Sequence, residues 1–439
     1  VPLKGKGFFS MSVAIPFPSA ESTLRAEVVG RTADRLWASY SQAERNSLRL
    51  PSFDRPNACS TFGDGSADWE SLGRMLDVLQ ELVMPGTFVG SNDLPGEPLD
   101  LSTGLGQATD HLHSILKAYF ILGHDEEKSG DLAALATLNL IERLPKIRER
   151  AEWNVFASLK DPAVWDSFTL QRIPDRSVLA NIKFLEIIDE SIRRRDRDYY
   201  VSILQENGIE GPYEYQLKLI KRAYPSWRAL LMHDFAHVLA CVDAFGEKGI
   251  ECAMTPFFPR LIAEHTAHLF QTDLHPETAI GDANFFDHTH RGITTGQTGK
   301  IGIGCVIYPC TLGGVTDKVK QRHPLLGDFV LIGTDVGIFG PVAVGEGSVI
   351  GPNTEINGFV ELGKGVKIRA AVVARTVIST NSRPGRLIFE DGVSVGEETL
   401  IINDHPTDLV IPAGTEITPN SFVVNDGSGN PKASESKWP

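Results

Sequence analysis

An α+β fold is predicted: an N-terminal all-helical domain, then a parallel β-helix of hexapeptide repeats. Two periodicities predict it. Between residues 332 and 373 an aliphatic side chain recurs at every sixth position, at Ile332, Ile338, Val344, Ile350, Ile356, Leu362 and Ile368. That is the signature of a solenoid whose faces are one hexad long. Over residues 21–268 the apolar residues instead follow helical spacing.

The six-residue period has a steric cause. Short parallel strands stacked into a triangular prism put one hexad on each face, about 18 residues per turn. The aliphatic member points inward and stacks on its equivalents in neighbouring coils. The fifth member (Val336, Val342, Ser348, Thr354, Val360, Val366 and Val372) is small or β-branched, as a position near a corner requires. The second is often glycine, at Gly333, Gly345, Gly351 and Gly363, and corner glycines are expected to supply positive φ. An amphipathic helix would repeat at about 3.6 residues, and this register does not.

Composition sets the outer limits. The chain has 439 residues, 42% of them apolar and 22% charged, ordinary for a globular protein of two or three domains. A net charge of −14 argues against a general nucleic-acid or anionic-membrane binder. The cysteines, Cys59, Cys241, Cys252, Cys305 and Cys310, are odd in number and lack CxxC spacing. A reducing, cytoplasmic setting is therefore expected, rather than a disulfide scaffold or a zinc ribbon. The sequence holds no apolar run of about 18 residues to span a membrane.

Residues 1–20 are set aside. Lys4 and Lys6 precede an apolar run that Pro16 and Pro18 interrupt, and Met11 lies downstream of Val1. A tag ahead of a native Met11 reads as well as a signal peptide. Residues 21–270 form the predicted helical domain, with helices over 69–83, 105–122, 131–150, 177–195, 215–239 and 252–269. His111, His113, His265 and His268 lie on these helices. Without a third ligand they read as packed or surface histidines, not as a metal site.

The period changes at Asp273, and residues 271–424 form the predicted solenoid of about eight coils. A polar excursion over 315–322 and a slip over 380–385 interrupt its register. Loops thrown off a β-helix often carry its binding face. Residues 425–439 are polar and are expected to be a disordered tail.

Histidine is uncommon in solenoid rungs, yet His288, His290 and His323 fall near the predicted loops, with Asp273, Asp287 and Asp335 beside them. A histidine near neutrality can take a proton from a hydroxyl. A carboxylate can fix its tautomer and stabilise the cation that forms. Such a pair suits acyl transfer to an alcohol. Arg322, next to His323, suits a carboxylate.

The order of the motifs sharpens this reading. Asp273-Leu274-His275-Pro276, Ile280-Gly281, Phe285-Phe286-Asp287-His288, Gly296-Gln297-Thr298, Thr311-Leu312-Gly313-Gly314, Arg322-His323-Pro324 and Ile332-Gly333 resemble the serine O-acetyltransferases. These are left-handed parallel β-helix acyltransferases, and the resemblance covers residues 225–356. It implies transfer of acetyl from acetyl-CoA, as co-substrate, to L-serine in cysteine biosynthesis, with no metal. It implies His288 as general base, Asp273 as its carboxylate partner and Asp287 at the substrate amine. Arg322 and His323 match residues at the substrate carboxylate, and His323 counts with the catalytic set. Gly314, Thr334 and Gly340 fall along the pantetheine arm of the donor. The resemblance also implies a homotrimer or a dimer of trimers, with sites between neighbouring prisms, and inhibition by cysteine.

This sequence departs from the family at several points. Gln297 stands where the family has Glu, and one extra residue lies within Thr289-His290-Arg291-Gly292. An acid expected late in the helical domain has only Glu210 and Asp234 as candidates. The solenoid runs past the family's usual end, and the sequence closes on Trp438-Pro439 in place of the Ile that docks into a sulfhydrylase. That complex is therefore not expected. Other readings compete: the same reaction on another hydroxylated amino acid or amine, a zinc lyase using His288, His290 and His323, and a non-catalytic trimeric scaffold. An acceptor panel, zinc content and CoA binding discriminate them.

Overall fold

The structure, a computed structural model, describes residues 22–48, 50, 66–86, 100–120, 124–165, 183–209, 212–241, 244–246, 257–315, 320–372, 374–380, 385–425, 427 and 431–435. The loop predicted around Asn92, Pro95 and Pro98, residues 316–319 of the excursion over 315–322 and the slip at 381–384 lie outside them. The chain divides into two compact units, residues 1–149 with 234–265 and residues 150–233 with 266–439. No helix among the described residues is long and apolar enough to cross a membrane.

The first unit is helical. Its elements include Ser22–Ser39, Ser66–Val83 and Leu101–Phe120, and Glu126–Ala157 begins in it. Their inward stripes bury Leu36, Leu76, Leu79, Leu105, Leu116 and Leu144 to 1% exposure or less, the amphipathic pattern read from the sequence. Arg148 donates to the Val83 carbonyl (2.6 Å) and to Glu44 (3.0 Å), and stacks 4.9 Å over the Tyr40 ring. His113 Nε2 donates to the Gly130 carbonyl at 3.2 Å. His111 is buried, and that desolvation brings its pKa down to about 4.

The second unit joins further helices, among them Phe184–Arg194, Arg197–Glu206 and Pro212–Ala223, to the solenoid. The helix predicted over 215–239 is two, Pro212–Ala223 and Ser226–Ala240. The break falls at Tyr224-Pro225, where proline disfavours helical geometry in the residue before it. Polar clamps tie this helical part to the solenoid. Arg150 donates to the Ile280 carbonyl (2.8 Å), Lys160 to the Gly304 carbonyl (2.6 Å), and Arg195 pairs with Asp282 (2.7 Å).

The solenoid is a parallel β-helix with three faces. The first face carries Thr272–Asp273, Ile293–Thr294, Cys310–Gly313, Val336–Phe339, Thr354–Asn357, Thr376–Thr380, Leu400–Asn403 and Ser421–Asn425 in order. The second runs from Ala279–Ile280 to Leu409–Ile411 and the third from Phe285–Phe286 to Glu416–Ile417, with seven strands each. That makes seven complete turns and one extra strand, against the eight expected.

Register confirms the hexad phase. Ile332 pairs Ile350 and Ile350 pairs Ile368 on the third face. Ile338 pairs Ile356 on the first, and Val344 pairs Leu362 on the second. The phase ends at Ile368, because Ile356 then pairs Ile378. Val372, counted from sequence as a fifth member, is 83% exposed; the chain leaves the prism there and re-enters at Thr376–Thr380.

Two expectations need correction. Corner glycine and asparagine do take positive φ, as at Gly347 (70°), Gly365 (63°) and Asn353 (58°), but the second-member glycines are not among them. A Cβ on Gly345 would stand 2.4 Å from the Gly363 backbone, so glycine is required there by coil-on-coil approach. The tail is not wholly without structure either. Pro431–Glu435 pairs antiparallel with Ser421–Asn425, covering the edge that the last coil would otherwise leave open.

Candidate functional site

The predicted site residues form two clusters, at opposite ends of the strands of the first face. The entry cluster lies on the corner from Phe285–Phe286 to Ile293–Thr294. Phe286 pairs inward with Ile307, and the next backbone N–H, that of Asp287, donates to the Ile307 carbonyl at 2.9 Å. This holds the Asp287 carboxyl, 14% exposed, beside the His288 ring, 57% exposed, with Nδ1 and Oδ1 3.5 Å apart. The His288 backbone N–H also donates to Asp287 Oδ1 (2.7 Å).

Burial raises the pKa of Asp287, against the pull of His288 and of His290, and the Asp161 carboxylate pushes it the same way as burial. Tyr308 lies with its ring 6.2 Å from that of His288. Its hydroxyl is also raised, by burial first and then by Asp287 and Asp161. Asp161 sits between the 3₁₀ turns Ser158–Lys160 and Pro162–Trp165. It accepts a 2.7 Å hydrogen bond from the Tyr224 hydroxyl.

The extra residue is absorbed in a 3₁₀ turn, Thr289–Arg291, flanked by positive φ at His288 (49°) and Gly292 (94°). Arg291 thereby reaches past one coil to the second, donating to Thr334 Oγ1 at 3.4 Å and standing 3.6 Å from the Asp335 carboxylate. Asp273 lies on the first face, in register with Thr294. The carboxylate next to the His288 ring is that of Asp287.

The exit cluster occupies the corner from the first face to the second. Thr298 organises it. Its backbone N–H donates to His323 Nδ1 (3.2 Å), and its hydroxyl accepts from the backbone N–H groups of Arg322 (3.1 Å) and His323 (3.2 Å). With Nδ1 accepting, the neutral ring of His323 carries its hydrogen on Nε2. Burial lowers the His323 pKa, and Arg322 and His275 add to that. Arg322 donates to Gln297 Oε1 (3.0 Å), and Gln297 Nε2 donates to both carboxylate oxygens of Glu277 (3.2 and 3.0 Å).

Glycines leave room here. A Cβ on Gly296 would overlap the His323 ring, and one on the exposed Gly314 would stand 3.0 Å from His323 Nε2. Gly340 has φ 103°, and a Cβ there would meet the Gly358 carbonyl at 3.2 Å, so the fold itself requires glycine at this turn.

One corner thus offers an exposed imidazole beside a half-desolvated carboxylate, fit to move a proton. The other offers a guanidinium and a neutral N–H donor, fit to hold an anionic group. The three imidazoles of the zinc reading are not gathered on one chain: His290 lies 5.9 Å from His288, and His323 is at the other corner. Among the described residues no group of three or more His, Cys, Asp or Glu is arranged to hold a metal.

Sequence reasoning missed Asp161, Tyr224, Tyr308 and Glu277. Of the acids it weighed, Asp234 is buried at 1% exposure and Glu210 lies outside the described residues. Tyr308 was open to detection, since it sits on the corner one coil below His288. Glu277 was too, since replacing Glu by Gln at 297 invites a compensating acid one coil away.

No family model matches the chain. It is 30% identical over 173 residues to a serine acetyltransferase of Synechococcus elongatus, covering 39% of this chain and 60% of that protein. It is 35% identical over 173 residues to one of Bacillus subtilis, covering 39% and 68%. The chain spans 44 to 60% of the length of three curated relatives it matches. Among solved structures, serine acetyltransferase isoform 3 of Entamoeba histolytica in complex with cysteine is 18% identical, with 82% of this chain and 95% of that chain covered and a TM-score of 0.46.

Proposed function

From the premise that this chain belongs to the serine acetyltransferase family, we propose that it transfers an acetyl group from acetyl-CoA to the hydroxyl of L-serine. One observation carries the reading: an exposed imidazole, His288, stands 3.5 Å from the half-desolvated Asp287 carboxylate at a solenoid corner. The His288 ring removes the hydroxyl proton as the serine oxygen attacks the thioester carbonyl carbon. The tetrahedral intermediate collapses with cleavage of the C–S bond, and the departing thiolate takes the proton back from the imidazolium.

Asp287 and Asp161 form a negative pocket for the acceptor's ammonium, and Asp273 steadies the charged ring as the family's pattern implies. Arg322 and the His323 Nε2–H receive the acceptor carboxylate. Gly314, Thr334 and Gly340 line the path of the pantetheine arm, where side chains are small. Because the two clusters lie at opposite ends of the first-face strands, the reading takes His288 from one protomer and Arg322 with His323 from its neighbour. The assembly is then a homotrimer or a pair of trimers.

Free CoA released from acetyl-CoA and L-serine tests the proposal. The wild-type chain is expected to release it, and His288→Ala to lower kcat by about a hundredfold or more, the usual range for a general base. No release from the wild type, or equal release from the variant, overturns it.

A further inference from the structure

The corner that carries His288 is longer than those stacked below it. It runs over 287–292, where the turns that follow use 308–309, 333–335 and 351–353. The added length is the 3₁₀ turn Thr289–Arg291. Two backbone bonds of 2.9 Å fix it, from Arg291 to the His288 carbonyl and from Gly292 to that of Thr289. Its last side chain, Arg291, runs along the corner past the coil of Tyr308-Pro309 and ends at Thr334 and Asp335.

These contacts do not explain the side chain as a brace. At 3.4 and 3.6 Å both are long. Arg291 and Asp335 are 52% and 59% exposed, and exposed pairs of this kind contribute little. A guanidinium held this loosely can turn to a stronger acceptor placed beside it.

Its reach matches the acetyl donor of the proposed reaction. Thr334 lies two coils on from His288, about 10 Å along the solenoid. The stretch of acetyl-CoA from the thioester carbon to the pantoyl carbonyl, extended at about 3.5 Å per three bonds, is also about 10 Å long. With the thioester at the His288 ring, the pantoyl amide falls level with Thr334, where the guanidinium ends. An amide oxygen accepts and a guanidinium only donates, and a charged donor makes the stronger bond.

We propose that Arg291 is a specificity residue for the acetyl donor, bonding the pantoyl carbonyl of acetyl-CoA beside Thr334. The inference rests on the acetyltransferase reading and deepens it, because the longer corner of this chain supplies the residue.

Initial rates of the full-length protein, with acetyl-CoA and L-serine varied in turn, test it. Arg291→Ala is expected to raise KM for acetyl-CoA about tenfold, a loss of about 1.4 kcal/mol, with kcat and KM for serine changed less than twofold. A folding defect or a role at the acceptor would move kcat or the serine KM as well. Two inhibitors competing with acetyl-CoA locate the contact. In the variant, pantetheine is expected to weaken about tenfold, and adenosine 3′,5′-bisphosphate, which lacks the arm, less than twofold. An unchanged donor KM, a serine KM that rises as much, or a larger loss on the bisphosphate than on pantetheine overturns the inference and leaves the acetyltransferase reading standing. If the wild type releases no CoA, both fail.

Discussion

His288 sits in left-handed backbone, φ 49°, a region that costs a non-glycine residue energy. In later coils the positive φ falls one residue further on, at Asp335, Asn353, Glu398 and Asn420, each at 58°. On this longer corner it falls on His288, whose ring stands beside Asp287. Burial raises the Asp287 pKa and Asp161 adds to that rise. Asp161→Asn therefore lowers the Asp287 pKa, because a negative neighbour that held its proton is gone. The acid limb of kcat/KM for serine is expected to move to lower pH. KM should rise about tenfold, roughly 1.4 kcal/mol, through loss of one carboxylate at the ammonium. An unmoved acid limb would remove Asp161 from the site. Asp287, His288, Arg322 and His323 were legible because they stand in short polar motifs, Phe285-Phe286-Asp287-His288 and Arg322-His323-Pro324, set between the solenoid's apolar rungs. Asp161 was not, since it arrives from a helical segment far upstream with only an acid–proline pair to mark it.

At the scale of the element, the hexad is a packing unit and its glycines are steric necessities. Added Cβ atoms on Gly333, Gly345, Gly351 and Gly363 would approach the next coil's atoms to 2.4–2.6 Å. Gly345→Ala is expected to destabilise the protein by about 2 kcal/mol, in the overpacking range, and to lower the thermal midpoint. Gly365 gives the contrasting case: nothing lies within 4 Å of its added Cβ, and its φ is 63°, so its penalty comes from backbone strain alone. The strand positions were readable because inward aliphatics must stack coil on coil. The exit from the prism after Ile368 was not, because the outward turn that exposes Val372 leaves the local composition unchanged.

For the whole molecule, the separation of the two clusters decides the architecture of the site. In the proposed reading, a chain with His288 at one end of a short strand and Arg322 at the other contributes half of each of two sites. Mixing His288→Ala chains with Arg322→Ala chains through unfolding and refolding is therefore expected to restore CoA release that neither variant shows alone. No restoration in mixed assemblies, checked for hybrid formation by mass, would remove the shared site. The helices of residues 150–233 belong to the solenoid's unit, and the ring of Tyr224, which donates to Asp161, lies 6.2 Å from that of Phe285 at the entry corner.

The sequence by itself determined the solenoid, its phase, and the corners that carry His288, Arg322 and His323. These follow from stacking, a short-range rule repeated every six residues. Only the tertiary structure decided that Asp287 stands beside His288, that Asp161 acts on the charge of Asp287 and accepts from Tyr224, and that Glu277 is linked to Arg322 through Gln297. Those contacts cross coils or come from helices, and no periodic constraint links such residues along the chain. Their proximity is set by how backbones pack, which a linear spacing does not encode.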